Sequence, residues 1–474
     1  MASGPFIHRF TRDLRLEDNA GLAAAAARGD VLPVLVIDER LVERLRASPR
    51  RAAFYCAAVR ALDTELGARG SRLLVRRGPA ARVVAEVARA TGAAGASWSV
   101  AYDGVEAQSD RAAQSALEER GLAALLVHDA PAVAPEESAA ARSVAGLGYR
   151  AFAPYFEAWR ELPIVSYELP LWLRLREAPI ASEPLPEPAE FGSDQAERCD
   201  PASARTLLER FLRDGASRYA WAARVPSAEA TSRLSAHLSF GTISARTLCR
   251  VVRERMADPF SIAEERVSLR AFLRALARRD FFLQLAWFHP ETSERALQER
   301  MREFVWERSH PALEAWCQGR TGYPLVDAGL RQLRATGWMH PHVRAVAASF
   351  LCFDLGVDWR VGRSVWDRWL IEDDPALATG NWQWIAGVGA DMAQYPRIYN
   401  PERQRRSSDP SGDYVREWVP ELRHVPLDEW FARTSASSQL GLDLFGEDAY
   451  PPAVVDHEQA ASAFLNRYRA FASP

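Results

Sequence analysis

Four stretches of the chain combine residue types that chemistry could use. Thr231-Ser232-Arg233-Leu234-Ser235 sets hydroxyls and a guanidinium ahead of a predicted helix. Such a run suits an anion such as a diphosphate, and it suits an ordinary N-cap equally well. Phe272 to Phe282, FLRALARRDFF, puts Arg274 and Arg278 on one helical face, which is either a functional rim or a solvated one. Gly337 to Arg344, GWMHPHVR, gathers Trp338, His340, His342 and Arg344 between a loop and a helix. No third acidic or histidine ligand stands at convincing spacing, so no metal site is expected there. Trp366 to Gln404 holds four tryptophans (Trp366, Trp369, Trp382, Trp384) and the acids Glu372, Asp373 and Asp374. On composition alone that stretch is helix, loop, helix in an α-helical core as readily as it is a site.

Elements must position these residues. Apolar runs at Phe6–Phe10, Val31–Ile37, Arg72–Val75, Ala96–Ala101 and Ala123–Val127 read as buried strands. They alternate with helical patterns at Arg50–Arg69 and Pro79–Thr91, stopped by Gly70 and Gly92. That alternation predicts a doubly wound parallel sheet in an α/β domain over residues 1–130, with any ligand beyond the carboxyl ends of the strands. The loop after the first run carries Arg9, Arg12, Asp13 and Arg15, and the loop after the fourth carries Tyr102, Asp103 and Glu106. These are solvated charges or ligand contacts; no GxGxxG or P-loop accompanies them. Residues 131–200 read as an interdomain linker, broken by Pro163, Pro170, Pro179, Pro184, Pro186 and Pro188. Helical periodicity then dominates 201–474, with helices predicted at Ala245–Met256, Ser268–Phe288, Ala312–Gly319, Leu325–Thr336 and His342–Leu355. This is a large all-α domain, able to bury a bulky cofactor between helices.

Composition narrows the classes. The 474 residues are 48% hydrophobic with a formal net charge of -3, so a nucleic-acid surface would have to be local. Every basic residue counted as Lys or Arg is arginine, which suits bidentate contacts but is explained more cheaply by base composition of the source genome. Cys56, Cys199, Cys249, Cys317 and Cys352 are widely spaced, which argues against a disulfide framework and fits a reducing compartment. No signal-peptide pattern and no membrane-length apolar run stands out, so a cytoplasmic location is expected and no membrane partner. Oligomeric state is not legible.

Taken in order, TSRLS, the arginine-rich helix, GWMH with its following Arg, GNWQW, AGVGAD and YPRIYNP resemble the photolyase/cryptochrome family. Arg9 to Leu22, RFTRDLRLEDNAGL, and Tyr149 to Arg160, YRAFAPYFEAWR, resemble that family's opening loop and its lead-in to the linker. The resemblance implies FAD in the helical domain and leaves open an antenna pigment of folate or deazaflavin type in the α/β domain. It assigns Tyr219, Thr231, Ser232, Arg233, Leu234 and Ser235 to the diphosphate region. Phe272, Arg279, Trp338, Arg344, Glu372, Asp374 and Ala378 would line the rest of the pocket. Trp382, Trp359 and Trp306 match the family's electron-donating tryptophans, with Trp382 nearest the flavin.

The substrate side departs from the family pattern. Ala275 and Arg278 stand where pyrimidine-dimer photolyases carry a Glu that bonds the bases and a Trp that stacks on them. Pro341 and Ala345 replace further lining residues, and Trp384 is retained. Ala378 stands where relatives place a polar residue opposite flavin N5, and Glu106 matches an acid that contacts a folate antenna. The expectation is a blue-light FAD flavoprotein that is cryptochrome-like or a photoenzyme for a non-standard substrate. The alternatives are a divergent DNA photolyase and a dark flavin-dependent oxidoreductase on the same scaffold.

Overall fold

Five apolar runs form five parallel strands in the computed structural model, which describes residues 4–140, 147–170, 172–193, 201–391, 396–430 and 450–472. Cys199 and Tyr395, the first residue of YPRIYNP, lie outside the described residues. Two compact units are distinguished.

The first comprises residues 1–217, 232–293 and 371–377. Its elements run β1 (Phe6–Phe10), α1 (Ala20–Ala26), β2 (Val31–Ile37), α2 (Glu39–Ala47), α3 (Pro49–Gly67), β3 (Leu74–Arg77), α4 (Ala80–Thr91), β4 (Gly95–Ser99), α5 (Gly104–Glu118) and β5 (Ala123–Val127). The sheet order is β3-β2-β1-β4-β5, so the winding reverses between β1 and β4. All seven residues of β2 are buried, as befits a strand covered on both faces. Pro33 precedes the pairing of β2 with β3, which starts at Val34. Helices α6 (Pro135–Ala140), α7 (Phe152–Trp159), α8 (Pro201–Arg210), α9 (Tyr219–Ala222), α10 (Ser235–Phe240), α11 (Ala245–Ala257) and α12 (Ala263–Phe288) follow, of which α9 belongs to the second unit.

The strands match the sequence expectation, with the third and fourth displaced by one or two residues. Glu106 differs: it lies in the first turn of α5, because Asp103 caps that helix by accepting from the Val105 and Glu106 amides. Arg9 lies within β1 and not in the loop after it, and neither it nor Arg15 is solvated. Arg9 is ion-paired to Asp110 at 3.1 Å. Arg15 pairs with Asp129 at 2.8 Å, and Arg246 of α11 meets the same carboxylate at 2.7 Å. Their partners lie a hundred or so residues away, so local sequence gave no sign of them.

The second unit comprises residues 218–231, 294–370 and 378–474. It holds α13 (Leu313–Gln318), α14 (Pro324–Thr336), α15 (Pro341–Ser349), α16 (Trp359–Asp367), most of α17 (Pro375–Ile385), α18 (Pro401–Ser408), α19 (Asp413–Trp418) and a last helix, His457–Ala472. The helix expected over 342–355 is α15 followed by a wide turn, Phe350–Asp354, closed by Leu355 N–H donating to Phe350 O at 3.1 Å. The core is built around Trp316, Phe350, Trp359 and Trp430. Among the described residues, no helix is long and apolar enough to cross a membrane.

Candidate functional site

In the first unit α12 carries Phe272, Arg274, Ala275, Arg278 and Arg279. Helical spacing turns Phe272 and Arg279 into the core, where Phe272 packs on Phe211 with centroids 4.4 Å apart. Arg278 lies on a neighbouring line and sits over Phe152, its guanidinium carbon 4.1 Å from the ring centroid. Arg274 covers the same ring and Phe156, at 4.9 Å each. Two arginines of the expected rim therefore sit over the chain's own aromatic residues. Ala275 between them is exposed.

Arg279 is 6% exposed and donates to Ala130 O at 2.6 Å. Its other terminal nitrogen lies 3.6 Å from the Asp374 carboxylate, which brings together two residues assigned to the same pocket. Such a pair, buried and not tightly closed, suits the neighbourhood of a ring whose charge changes on reduction. Ahead of α10, Leu234 N–H donates to the Ser232 hydroxyl at 3.4 Å. Arg233 takes a positive φ of 55°. A non-glycine residue in that region costs roughly 1 kcal/mol or more and tends to persist where a ligand is gripped. Strained turn, hydroxyls and guanidinium form a donor set that fits a diphosphate, and the buried Arg279–Asp374 pair fits the flavin end. The residues present therefore fit FAD.

In the second unit Tyr219 opens α9, and burial pushes its phenol up to about 12, so it stays a hydroxyl donor. Trp338 follows α14, edge-on to His340 at 6.1 Å. Arg344 on α15 reaches back to Met339 O at 2.7 Å, which fixes its stem. Ala378 and Trp384 are half-buried on α17.

The three expected electron donors are arranged by backbone. Trp382 of α17 is buried against Gly362 of α16: a Cβ there would stand 2.2 Å from its Cη2. Trp359, wholly buried, starts the same helix α16. Glu307 N–H donates to Gly356 O at 3.0 Å, and Asp358 N–H donates to Glu307 O at 2.8 Å. That bridge lays Trp306 alongside the start of α16. Trp306 itself is half-buried, against Phe304 and Phe464.

Sequence reasoning missed two features. Trp366 meets Trp382 with centroids 4.4 Å apart and stacks on Trp316 at 6.4 Å. Sixteen residues separate Trp366 from Trp382, which is no helical or strand spacing. The second is a charge cluster beyond the sheet: Glu106 and Asp373 share Arg12 and Arg44.

Residues 6–181 match the family model described as DNA photolyase, and residues 272–470 match that of the FAD binding domain of DNA photolyase. A deoxyribodipyrimidine photo-lyase of Halobacterium salinarum is 36% identical over 474 aligned positions, covering 96% of each chain. The crystal structure of a class III photolyase from Agrobacterium tumefaciens aligns with a TM-score of 0.85 at 29% identity, over 99% of this chain and 98% of that one. A Synechocystis cryptochrome aligns with a TM-score of 0.85 at 26% identity, over 99% of this chain and all of that one. With its parallel sheet, helical remainder and FAD-binding region, the chain belongs to the photolyase/cryptochrome family of FAD flavoproteins.

Proposed function

We propose that this protein is a cryptochrome-like blue-light flavoprotein, or a photoenzyme for a non-standard substrate, and not a standard pyrimidine-dimer photolyase. Bound FAD supplies one-electron redox chemistry on excitation by light. Trp382 is the first residue to give up an electron, Trp359 the next, and half-buried Trp306 the one from which charge reaches solvent. Arg279 and Asp374 hold opposite charges beside the flavin, and Thr231 to Ser235 with Tyr219 hold the diphosphate. Phe272, Trp338, Arg344 and Glu372 line the remainder, with Ala378 offering no hydrogen bond. The division into 1–130, 131–200 and 201–474 is our reading of how these roles are shared along the chain.

The observation that carries the proposal is the seat of Arg278. Reading an extruded base needs hydrogen bonds to its edge and a stacking wall. Ala275 supplies no hydrogen bond, and Arg278 is committed to Phe152. Fluorescence anisotropy with duplexes with and without one thymine dimer tests it. Equal affinities are expected, and a preference of about a hundredfold for the lesion would refute it.

A second reading is light-driven DNA repair by a divergent photolyase, acting on pyrimidine photoproducts with Trp384 in the substrate pocket. The names of the relatives favour it. Arg403 and Arg406, both exposed on α18, would then contact backbone phosphates.

A further inference from the structure

The crevice at the winding reversal of the sheet is where an open parallel sheet ordinarily takes a ligand. Here it is about 80 Å³, lined by Phe10, Thr11, Arg12, Tyr55, Ala101 and Glu106 among others. Pockets for molecules the size of a pterin or flavin run to roughly 300–1,000 Å³. The space is filled by charge. Arg12 donates to both oxygens of Glu106, at 3.2 and 2.9 Å, and to the Asp373 carboxylate at 3.2 Å. It also donates to the Asp373 carbonyl. Arg44 of α2 spans the same two acids, 2.5 Å from Glu106 and donating through Nε to Asp373 at 3.1 Å. Arg51 of α3 adds a third positive charge 3.6 Å from Asp373.

The cluster is fixed on several sides. Ser239 of α10 accepts from Asp373 N–H at 2.8 Å. Gly241, which caps α10 with a φ of 69°, lies so close to the loop after β1 that a Cβ would stand 2.0 Å from Arg12 O. Helix α10 begins at Ser235 of the TSRLS run, and Asp373 is flanked by Glu372 and Asp374. One arginine therefore braces the far end of the diphosphate helix and the middle of the acidic loop.

We propose that this crevice is a mount for the cofactor pocket instead of an antenna site: Arg12, Arg44 and Glu106 are positioning residues that fix Glu372 and Asp374 through Asp373, and no pterin or flavin-like antenna enters there. The charges support it. Burial works against charge on Arg12, yet Glu106 and Asp373 hold its guanidinium above the ordinary value. Burial likewise works against charge on Asp373, but Arg44, Arg12 and Arg51 hold its carboxyl well below the usual range. A ligand displacing one member would leave the others buried and uncompensated.

The inference rests on Glu372 and Asp374 lining the flavin pocket, and the test separates the two claims. In holoprotein, visible circular dichroism of the bound flavin and FAD dissociation are measured for wild type, Asp374→Asn, Arg44→Gln, Asp373→Asn and the Arg44→Gln/Asp373→Asn double variant. Arg44→Gln and Asp373→Asn should each change the flavin signal and weaken FAD about tenfold, with the double variant no worse than the single ones. If Asp374→Asn alters the flavin signal while Arg44→Gln and Asp373→Asn do not, the clamp is wrong. If Asp374→Asn has no effect either, the assignment of the acidic loop to the pocket is wrong.

Wild-type and Ala101→Trp holoproteins are also dialysed against methenyltetrahydrofolate, 8-hydroxy-5-deazaflavin and FMN. No uptake at the crevice is expected. Stoichiometric uptake of any probe that Ala101→Trp abolishes would overturn the proposal.

Discussion

Trp382, Asp374 and Arg278 show how a single side chain is committed by what surrounds it. Trp382 is buried between Gly362 and Trp366, so its ring is held in one pose. Trp382→Phe should slow blue-light reduction of bound flavin by about tenfold or more, equivalent to at least ~1.4 kcal/mol on the rate-limiting barrier, measured by the loss of flavin absorbance under constant illumination. Asp374 lies 3.6 Å from Arg279, nearer than its sequence neighbour Asp280 at 3.9 Å. Asp374→Asn leaves that buried guanidinium less compensated and should speed FAD loss on dialysis while the fold persists. The motifs that hold the tryptophans and acids were legible in the sequence because their order resembles that of the family. The seating of Arg278 on Phe152 was not, since the two positions are over a hundred residues apart and nothing in either motif pairs them.

Elements explain why those side chains can be held at all. Helix α16 presents Gly362 to Trp382, and a methyl group there would stand 2.2 Å from the indole and 2.4 Å from Leu351. Gly362→Ala should cost roughly 1–3 kcal/mol by overpacking and also slow photoreduction, because the ring it displaces is the proposed first donor. Chemical denaturation checks the first effect, and photoreduction of the same sample checks the proposed role of Trp382 as first donor. Helix α11 is fastened to the sheet by Asp129, which takes Arg15 and Arg246 together. Asp129→Ala should destabilise the first unit by roughly 3–5 kcal/mol, because two buried guanidiniums lose their partner. Strand positions in the α/β part were legible from apolar runs, and helix ends from glycines such as Gly92, which ends α4 with a φ of 65°. The pairing of Arg15 with Asp129 and the clamp on Asp373 were illegible, because a run of charges looks the same whether solvated or buried. Only the fold supplies their partners.

At the scale of the whole molecule, pH should act through two buried groups of opposite sense. Burial pushes the Asp354 carboxyl up to about 6 against the pull of His457. The folded protein holds that proton where the unfolded chain has lost it, so this contribution is full below about pH 4 and is lost as pH rises through 6. Burial, helped by Arg224, pushes His342 down to about 4. Unfolded chain takes that proton below about pH 6.5, so its contribution is full above that pH and is lost as pH falls towards 4. Thermal unfolding at pH 5 and pH 7 should therefore show Asp354→Asn stabilised relative to wild type at the higher pH, and His342→Gln relatively stabilised at the lower. We infer that the electron-supply side of the family architecture is kept while the substrate side is rebuilt. It is tested most directly by illuminating fully reduced protein with an oligonucleotide carrying one thymine dimer and following dimer loss by chromatography. No repair above the rate of light alone is expected, from protein that photoreduces its flavin in the same preparation. Efficient, light-dependent restoration of the thymines would contradict the account.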